Sequence, residues 1–290
     1  MKIVVIGTSA AGHSAAVNLR NKCPDAGITL ISQEEYPFYD RRKLMDYWAG
    51  RIKEKDLFPA GADPYGRQNI SFLKNSKVVA VNPARRSVSY KAGEKRTSVE
   101  YDFLVVASGS KTVIPEIEGI NRSGVFCFDS LADLKELRSA VMADAVCLIG
   151  SNHLTAAAIE NIVSKQVEVK LVTDKPRENL PASVEVIGGK VTQLIGDSGV
   201  QAVKLESGKV IGVSWVGIMS EPAPNFDFLQ DSGIELNNGA IAVDEFMHTS
   251  LENVLACGSV CLKRGETPRL KTWEESLAEG ASAAEHIFKS

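Results

Sequence analysis

The sequence predicts an α/β protein in which one strand–turn–helix–strand unit occurs twice, with an antiparallel segment between the copies. Two observations carry that expectation. Each copy opens on a short apolar run, Lys2–Ile6 and Ala145–Ile149, of the kind that marks strands buried on both faces of a parallel sheet. Each run is followed by a glycine-bearing turn, a helix rich in small residues and a second apolar run, at Ile28–Ile31 and Val167–Val172. That order is the βαβ pattern, whose crossover hand follows from strand twist.

The elements follow in order. After Lys2–Ile6 the turn reads Gly7-Thr8-Ser9-Ala10-Ala11-Gly12, and the helix after it runs to about Asn21, with Ala15, Ala16 and Leu19 on one face. Pro24-Asp25-Ala26-Gly27 breaks it. Residues 33–75 carry turn-formers and charges, with a short helical stretch near Arg42 to Gly50. Val78–Val81 and Ser87–Tyr90 alternate around Asn82-Pro83-Ala84-Arg85-Arg86 and predict an antiparallel hairpin. Asp102–Ala107 is a further buried strand ending in Ser108-Gly109-Ser110, and Pro115 and Gly119 mark a crossing segment. Ser130 with Asp133 three residues on gives a capping-box start for a helix. The second unit then occupies Ala145–Val172, with its helix over Ala156–Ser164, and residues 184–240 are β-rich with glycine turns. Strand patterns return at Ile241–Val243 and Val254–Ala256, and Trp273–Phe288 predicts a terminal amphipathic helix.

Composition narrows the function classes. The chain has 290 residues and a net charge of −3, so no basic surplus points to nucleic acid or an anionic membrane. The five cysteines, Cys23, Cys127, Cys147, Cys257 and Cys261, are scattered and contain no C-x-x-C, which argues against a disulfide framework or a structural zinc site. The four His have no metal-ligand spacing. The opening MKIVVIG is too short an apolar run for a signal peptide and no run approaches membrane-spanning length, so a reducing cytoplasm is the expected location.

The first turn carries the chemistry. A diphosphate needs backbone N–H donors, the positive end of a helix and close approach of chain to ligand. Gly7 permits the tight turn and Gly12 the close helix–strand contact, while Ser9 stands where G-x-G-x-x-G has its middle glycine. An acidic residue is expected after the second strand to meet an adenosine ribose, and Glu34 and Glu35 both lie there. The predicted fold is therefore α/β with two Rossmann-like dinucleotide-binding domains, the second inserted in the first and shortened. Two such folds in one chain imply two nucleotide sites, or the remains of two.

Five segments in this order, VVIGTSAAGHSAAVNLR, ITLISQEEYPFYDRRKLMDYWAG, YDFLVVASGSKTVIPEIEG, IAVDEFMHTSLENVLACGSV and WEESLAEGASAAEHI, resemble the FAD-dependent pyridine nucleotide-disulfide oxidoreductase superfamily, and within it the NADH:rubredoxin reductase-like and nitrite reductase-like flavoproteins. The resemblance is strong through residues 1–115 and 241–290 and weak through 145–240. It implies a discontinuous FAD-binding domain at 1–115 and 241–290 and a shortened NAD(P)-binding-like domain at 116–240. It implies that Gly7, Ser9, Ala10, Ala11 and Gly12 cradle the FAD diphosphate, that Glu34 meets the adenosine ribose, and that Arg41 of the Y-x-R segment partners phosphate through its planar fork. It places the backbone of Val78 near adenine, Ala107, Ser108 and Gly109 at the family A-T-G turn, and Gly258 and Ser259 at the family G-D that bonds the ribityl chain. Trp273 matches a tryptophan opening the last helix.

Departures from the family limit what carries over. The second turn reads Gly150-Ser151-Asn152-His153-Leu154-Thr155, with Asn152 and Thr155 where the family has glycines. Cβ atoms there obstruct the diphosphate approach and the helix–strand contact. Ala157 stands where relatives often carry a glutamate and Asp46 where many carry a lysine, so that ion pair is lost. Thr173–Val184 is short for a crossover helix, though Asp174, Lys175 and Arg177 remain candidates for a ribose or phosphate. Ser259 replaces the family aspartate; its hydroxyl both donates and accepts, so FAD binding is expected to survive more weakly. No cysteine follows the Y-x-R segment, where the chain reads Arg41-Arg42-Lys43-Leu44. His13 and His153 sit in turn regions with no carboxylate partner apparent in the sequence. The family usually continues into a C-terminal interface domain, whereas this sequence stops at Ser290, which would leave a flavin edge open to a partner. The resulting expectation is an FAD-dependent oxidoreductase passing electrons from NAD(P)H through flavin to an iron–sulfur or rubredoxin-type protein or a small acceptor, without a redox-active cysteine. The alternative is an FAD-binding electron-transfer subunit or regulatory module whose NAD(P)H site no longer functions.

Overall fold

A computed structural model describes residues 1–139, 145–175 and 180–288. The chain forms two compact units, one of residues 1–40, 55–110 and 224–290, the other of residues 41–54 and 111–223.

The first unit is built on a five-stranded parallel sheet in the order Val254–Ala256, Phe103–Val106, Lys2–Ile6, Gly27–Ile31, Ile70–Leu73. The central strand buries Ile3, Val4, Val5 and Ile6 almost completely, which explains its unbroken apolar sequence. Helix Ala10–Lys22 follows it and buries Ala15, Ala16 and Leu19. Two features differ from the sequence expectation. Ile70–Leu73 lies in a stretch read as turns, yet it is the edge strand beside Gly27–Ile31; only Ile70 of the four is fully buried, so its apolar signal is weak. The hairpin is extended to a three-stranded antiparallel sheet, Ser76–Asn82, Ser87–Ala92 and Lys95–Glu100; the third strand is largely exposed and charged, so it shows no buried face in the sequence.

The last helix, Trp273–His286, starts at a capping box in which Thr272 and Glu275 exchange side-chain and backbone hydrogen bonds. It packs along the first helix through small residues: Ala283 and Ala284 are buried, and the Ser14 hydroxyl donates to the Leu277 carbonyl at 2.7 Å. A Cβ on Gly280 would stand 2.2 Å from the Ala11 carbonyl oxygen. The chain's tail thus returns to the start of the first helix.

The second unit repeats the plan with a five-stranded parallel sheet in the order Val184–Ile187, Glu168–Val172, Ala145–Ile149, Trp215–Ile218, Val125–Phe126. Ser130 and Asp133 cap helix Leu131–Ser139 reciprocally, at 2.8 and 3.1 Å. Helix Thr155–Val163 follows the second turn, and Val191–Ile195, Ala202–Leu205 and Val210–Gly212 form a separate antiparallel sheet.

Two turns with one frame and different amides

The two strand-to-helix turns share a hydrogen-bonded frame. Gly7 N–H donates to the Ile31 carbonyl and Gly150 N–H to the Val172 carbonyl, both at 2.8 Å. Ala107 N–H meets the Ile6 carbonyl and Met219 N–H the Ile149 carbonyl, again both at 2.8 Å.

In the first turn, backbone runs closely on backbone. Gly7 has φ +105°, and a Cβ there would stand 2.2 Å from the Ala107 carbonyl oxygen. A Cβ on Gly12 would stand 1.9 Å from the Gly7 carbonyl oxygen, and one on Gly258 would stand 2.8 Å from the Ala11 Cβ. Ser9 begins the helix with no side-chain cap. Among the described residues, the amides of Ala10, Ala11 and Gly12 have no protein acceptor. Uncapped amides at the end of a 13-residue helix offer donors that an anion can accept.

The structure gathers most of the expected site residues around this turn. Ala107 and Ser108 lie against Gly7. The Ser108 hydroxyl donates to the Asn225 carbonyl at 2.6 Å, and Asn225 N–H returns to the Gly109 carbonyl at 2.9 Å, so Asn225 closes the Ser108–Gly109 turn. Thr8 Oγ1 donates to Ser32 Oγ at 3.1 Å, which also accepts Glu34 N–H at 3.1 Å. The Tyr39 hydroxyl donates to Glu34 Oε2 at 2.6 Å, fixing the carboxylate at the end of the second strand. Val78 packs on the core of the same unit. Arg41 lies in the second unit, where its guanidinium donates to the Asp129 carbonyl; Asp129 in turn accepts Thr112 N–H and the Thr112 hydroxyl at 2.9 and 2.7 Å.

The second turn is filled by its own side chains. Asn152 N–H donates to Thr155 Oγ1 at 2.9 Å, and Leu154 N–H donates to Asn152 Oδ1 at 2.9 Å. Asn152 Nδ2 reaches the Ser220 carbonyl at 3.1 Å, and both side chains are buried. The two substitutions thus do more than add bulk: their side chains take the Asn152 amide and the Leu154 amide, whose counterpart at Ala11 is open in the first turn. Asp46 is paired with Arg51 at 2.7 Å, and Lys175 with Glu221 at 3.4 Å. Arg177 lies outside the described residues.

Several contributors had a weaker signal in the sequence. His13 stacks on Phe38 with centroids 3.9 Å apart and planes 6° apart, and Phe38 stacks on Trp273 at 5.5 Å. His13 Nδ1 lies 3.2 Å from the Tyr65 hydroxyl. Burial lowers the His13 pKa to about 4, so the ring is neutral at pH 7 and shares one hydrogen bond with the tyrosine hydroxyl through Nδ1. Because the folded pKa lies below the unfolded value of about 6.5, this contribution is fully present above pH 6.5 and is lost as pH falls toward 4, by up to about 3 kcal/mol. His13→Gln is therefore expected to show a smaller drop in Tm than the parent between pH 7 and 4.5, measured by circular dichroism; parallel profiles would contradict the assignment.

Burial pushes the thiols of Cys127, Cys147 and Cys261 up to about 12, and that of Cys257 well above its ordinary value. A thiol held protonated is a poor nucleophile. Among the described residues, no group of three or more His, Cys, Asp or Glu is placed to hold a metal ion, and no helix is long and apolar enough to cross a membrane. Cavities of about 500 Å³ beside Ile117–Arg122 and about 390 Å³ beside Arg20 and Gly27 include no residue of the first turn in their lining; open amides and missing Cβ atoms, not either cavity, define the candidate site.

Residues 1–280 match the family model described as pyridine nucleotide-disulphide oxidoreductase. The chain belongs to that family. It is 27% identical over 311 residues to the rubredoxin-NAD(+) reductase of Pseudomonas putida, covering 99% of this chain and 80% of the relative. It is also 27% identical over 283 residues to the NADH-rubredoxin oxidoreductase of Clostridium acetobutylicum, covering 93% and 70%. Its fold is similar to the NAD-dependent persulfide reductase from A. fulgidus, with a TM-score of 0.88, 24% identity, and coverage of 100% of this chain and 60% of that one. FAD and NAD(P)H are the cofactors of the family. The first turn fits a dinucleotide diphosphate, since its amides are open and the glycines at Gly7, Gly12 and Gly258 let the turn, the first helix and the Gly258 loop pack closely enough to hold that turn in place. In the second turn the Asn152 and Leu154 amides are taken by the Thr155 and Asn152 side chains.

Proposed function

We propose that this chain is an FAD-dependent oxidoreductase that takes electrons from NAD(P)H and passes them to a protein or small acceptor without a redox-active cysteine. The observation that carries the reading is the first turn, where uncapped amides meet three positions that tolerate no Cβ. Gly7, Ser9, Ala10, Ala11 and Gly12 would hold the diphosphate, Glu34 the adenosine ribose, Val78 the adenine side, and Gly258 and Ser259 the ribityl chain. Bound FAD would supply two-electron acceptance with release in one- or two-electron steps. The protein's own part is positional: Tyr39 orients Glu34, Asn225 closes the Ser108–Gly109 turn, and the His13–Phe38–Trp273 stack braces the first helix. The high thiol pKa values support a path with no cysteine relay. The rubredoxin reductases among its relatives make an iron–sulfur or rubredoxin-type protein the acceptor class to test first.

A second reading, an electron-transfer subunit or regulatory module that binds FAD but not NAD(P)H productively, is favoured by the self-capped second turn. Anaerobic mixing separates the two. Bleaching of the flavin bands within seconds of adding NADH or NADPH is the expected result; bleaching by dithionite but by neither nucleotide would replace the first reading with the second. Thr155→Gly, which removes the acceptor from Asn152 N–H, is expected to leave FAD content unchanged, as read from the absorbance ratio of the purified variant.

A further inference from the structure

Beneath the Gly258–Ser259 turn the first unit buries an ion pair that the proposed function does not use. Lys271 Nζ lies 2.6 Å from Glu279 Oε1 and 2.7 Å from Oε2. The lysine side chain is 2% exposed and the glutamate 13%. Glu279 Oε2 also accepts the Gly258 N–H at 2.8 Å. Lys271 Nζ lies 3.7 Å from Cys261 Sγ, and the Gly258 carbonyl accepts from Cys261 N–H at 3.2 Å and from its thiol at 3.4 Å. Both polar groups of Gly258 are therefore held by the protein. Ser259 is half-buried, and among the described residues neither its amide nor its hydroxyl has a protein partner.

Burying two charges is expensive, and apolar residues of similar size usually give equal or greater stability. A buried pair whose carboxylate also takes a backbone amide next to a site is thus better explained by placement than by stability. The amide it takes belongs to the residue that approaches Ala11 so closely that a Cβ would stand 2.8 Å from the Ala11 Cβ. Ala11 carries one of the open amides of the first turn.

We propose that Lys271 and Glu279 are a positioning pair: Glu279 fixes the Gly258 amide and Lys271 holds that carboxylate in place, so that Ser259 is left as the free polar group presented to the dinucleotide. This rests on the reading of the first unit as an FAD site. The pair acts through Gly258 and Ser259 and does not itself touch the cofactor. It also supplies a reason why serine suffices where the family has aspartate: the turn is held from behind by a carboxylate on the last helix.

The test uses the full chain as apoprotein, with FAD as the probe and quenching of flavin fluorescence as the binding readout. Lys271→Met with Glu279→Leu removes both charges and the acceptor for Gly258 N–H. Its apoprotein is expected to melt within about 3 °C of the parent, while its Kd for FAD rises about tenfold, the worth of one well-placed hydrogen bond. Lys271→Met with Glu279→Gln restores a neutral acceptor and is expected to bring the Kd back to within about threefold of the parent. Parent-like affinity in the Met/Leu variant overturns the proposal, as does equal loss in both variants together with a collapsed Tm, which would mark the pair as merely structural. Should the Met/Leu variant fail to fold, the Met/Gln variant decides, since failure of that chain to bind FAD overturns the proposal. A parent chain that folds but binds no FAD removes the underlying reading itself, an outcome distinct from the others.

Discussion

Gly12→Val is expected to yield a chain that retains less than roughly a tenth of the parent's FAD and unfolds with a loss of about 3 kcal/mol or more. The reason is geometric. The first Cβ added at Gly12 would stand 1.9 Å from the Gly7 carbonyl oxygen and 3.3 Å from the Ala107 Cβ. The obstruction is backbone, not the end of a flexible side chain, so helix and strand must separate. Separation moves the amides of Ala10, Ala11 and Gly12 together, and these are the groups left without protein acceptors. Flavin absorbance of the purified variant and urea melts of its apoprotein measure the two effects separately. Parent-like flavin content would contradict the assignment of this turn as the cradle.

Gly280→Val is expected to have an effect of the same order, about 3 kcal/mol, with FAD retention lost in parallel. Gly280 is remote in sequence from the turn, yet a Cβ on it would stand 2.2 Å from the Ala11 carbonyl oxygen and 3.0 Å from the Ala15 amide nitrogen. The last helix can lie against the first only because both faces are made of small residues, Ala11 and Ala15 on one side and Gly280, Ala283 and Ala284 on the other. A larger residue pushes the last helix outward and draws with it Glu279, which holds Gly258. Gly61→Ala is the control, since nothing lies within 4 Å of a Cβ at that position; its backbone at φ +82° predicts a modest cost in stability and none in FAD content. FAD retention by Gly280→Val at the level of the Gly61→Ala control would show that the tail does not shape the site.

Much of the parallel core was legible because burial on both faces leaves a continuous apolar run. Lys2–Ile6 and Ala145–Ile149 both occur as strands at the expected residues. The glycines of the first turn were legible because a close backbone approach excludes every other residue, and the contacts at Gly7 and Gly12 give that exclusion in ångströms. Edge and surface elements were not. Ile70–Leu73 and Lys95–Glu100 owe their structure to a neighbour's hydrogen bonds and carry little apolar pattern of their own. The same holds at the site. Tyr39 was visible only as part of a Y-x-R segment, and nothing local says that its hydroxyl reaches Glu34. The Lys271–Glu279 pair is eight residues apart, from a loop and from the middle of a helix, so its partnership depends on the fold. Asn152 and Thr155 were read as obstructing Cβ atoms; that they also consume the turn's amides required their hydrogen bonds. Gly280 had a signal that was available: a small-residue run, Glu-Gly-Ala-Ser-Ala-Ala, that matches the small-residue face of the first helix.

The central claim is that the open amides of the first turn hold the diphosphate of FAD. Equilibrium dialysis of the folded apoprotein against FAD tests it most directly, with bound flavin counted by absorbance after denaturation. The account predicts saturation at one FAD per chain, with free inorganic pyrophosphate competing at higher concentration. A folded chain that takes up no flavin at saturating FAD would contradict it.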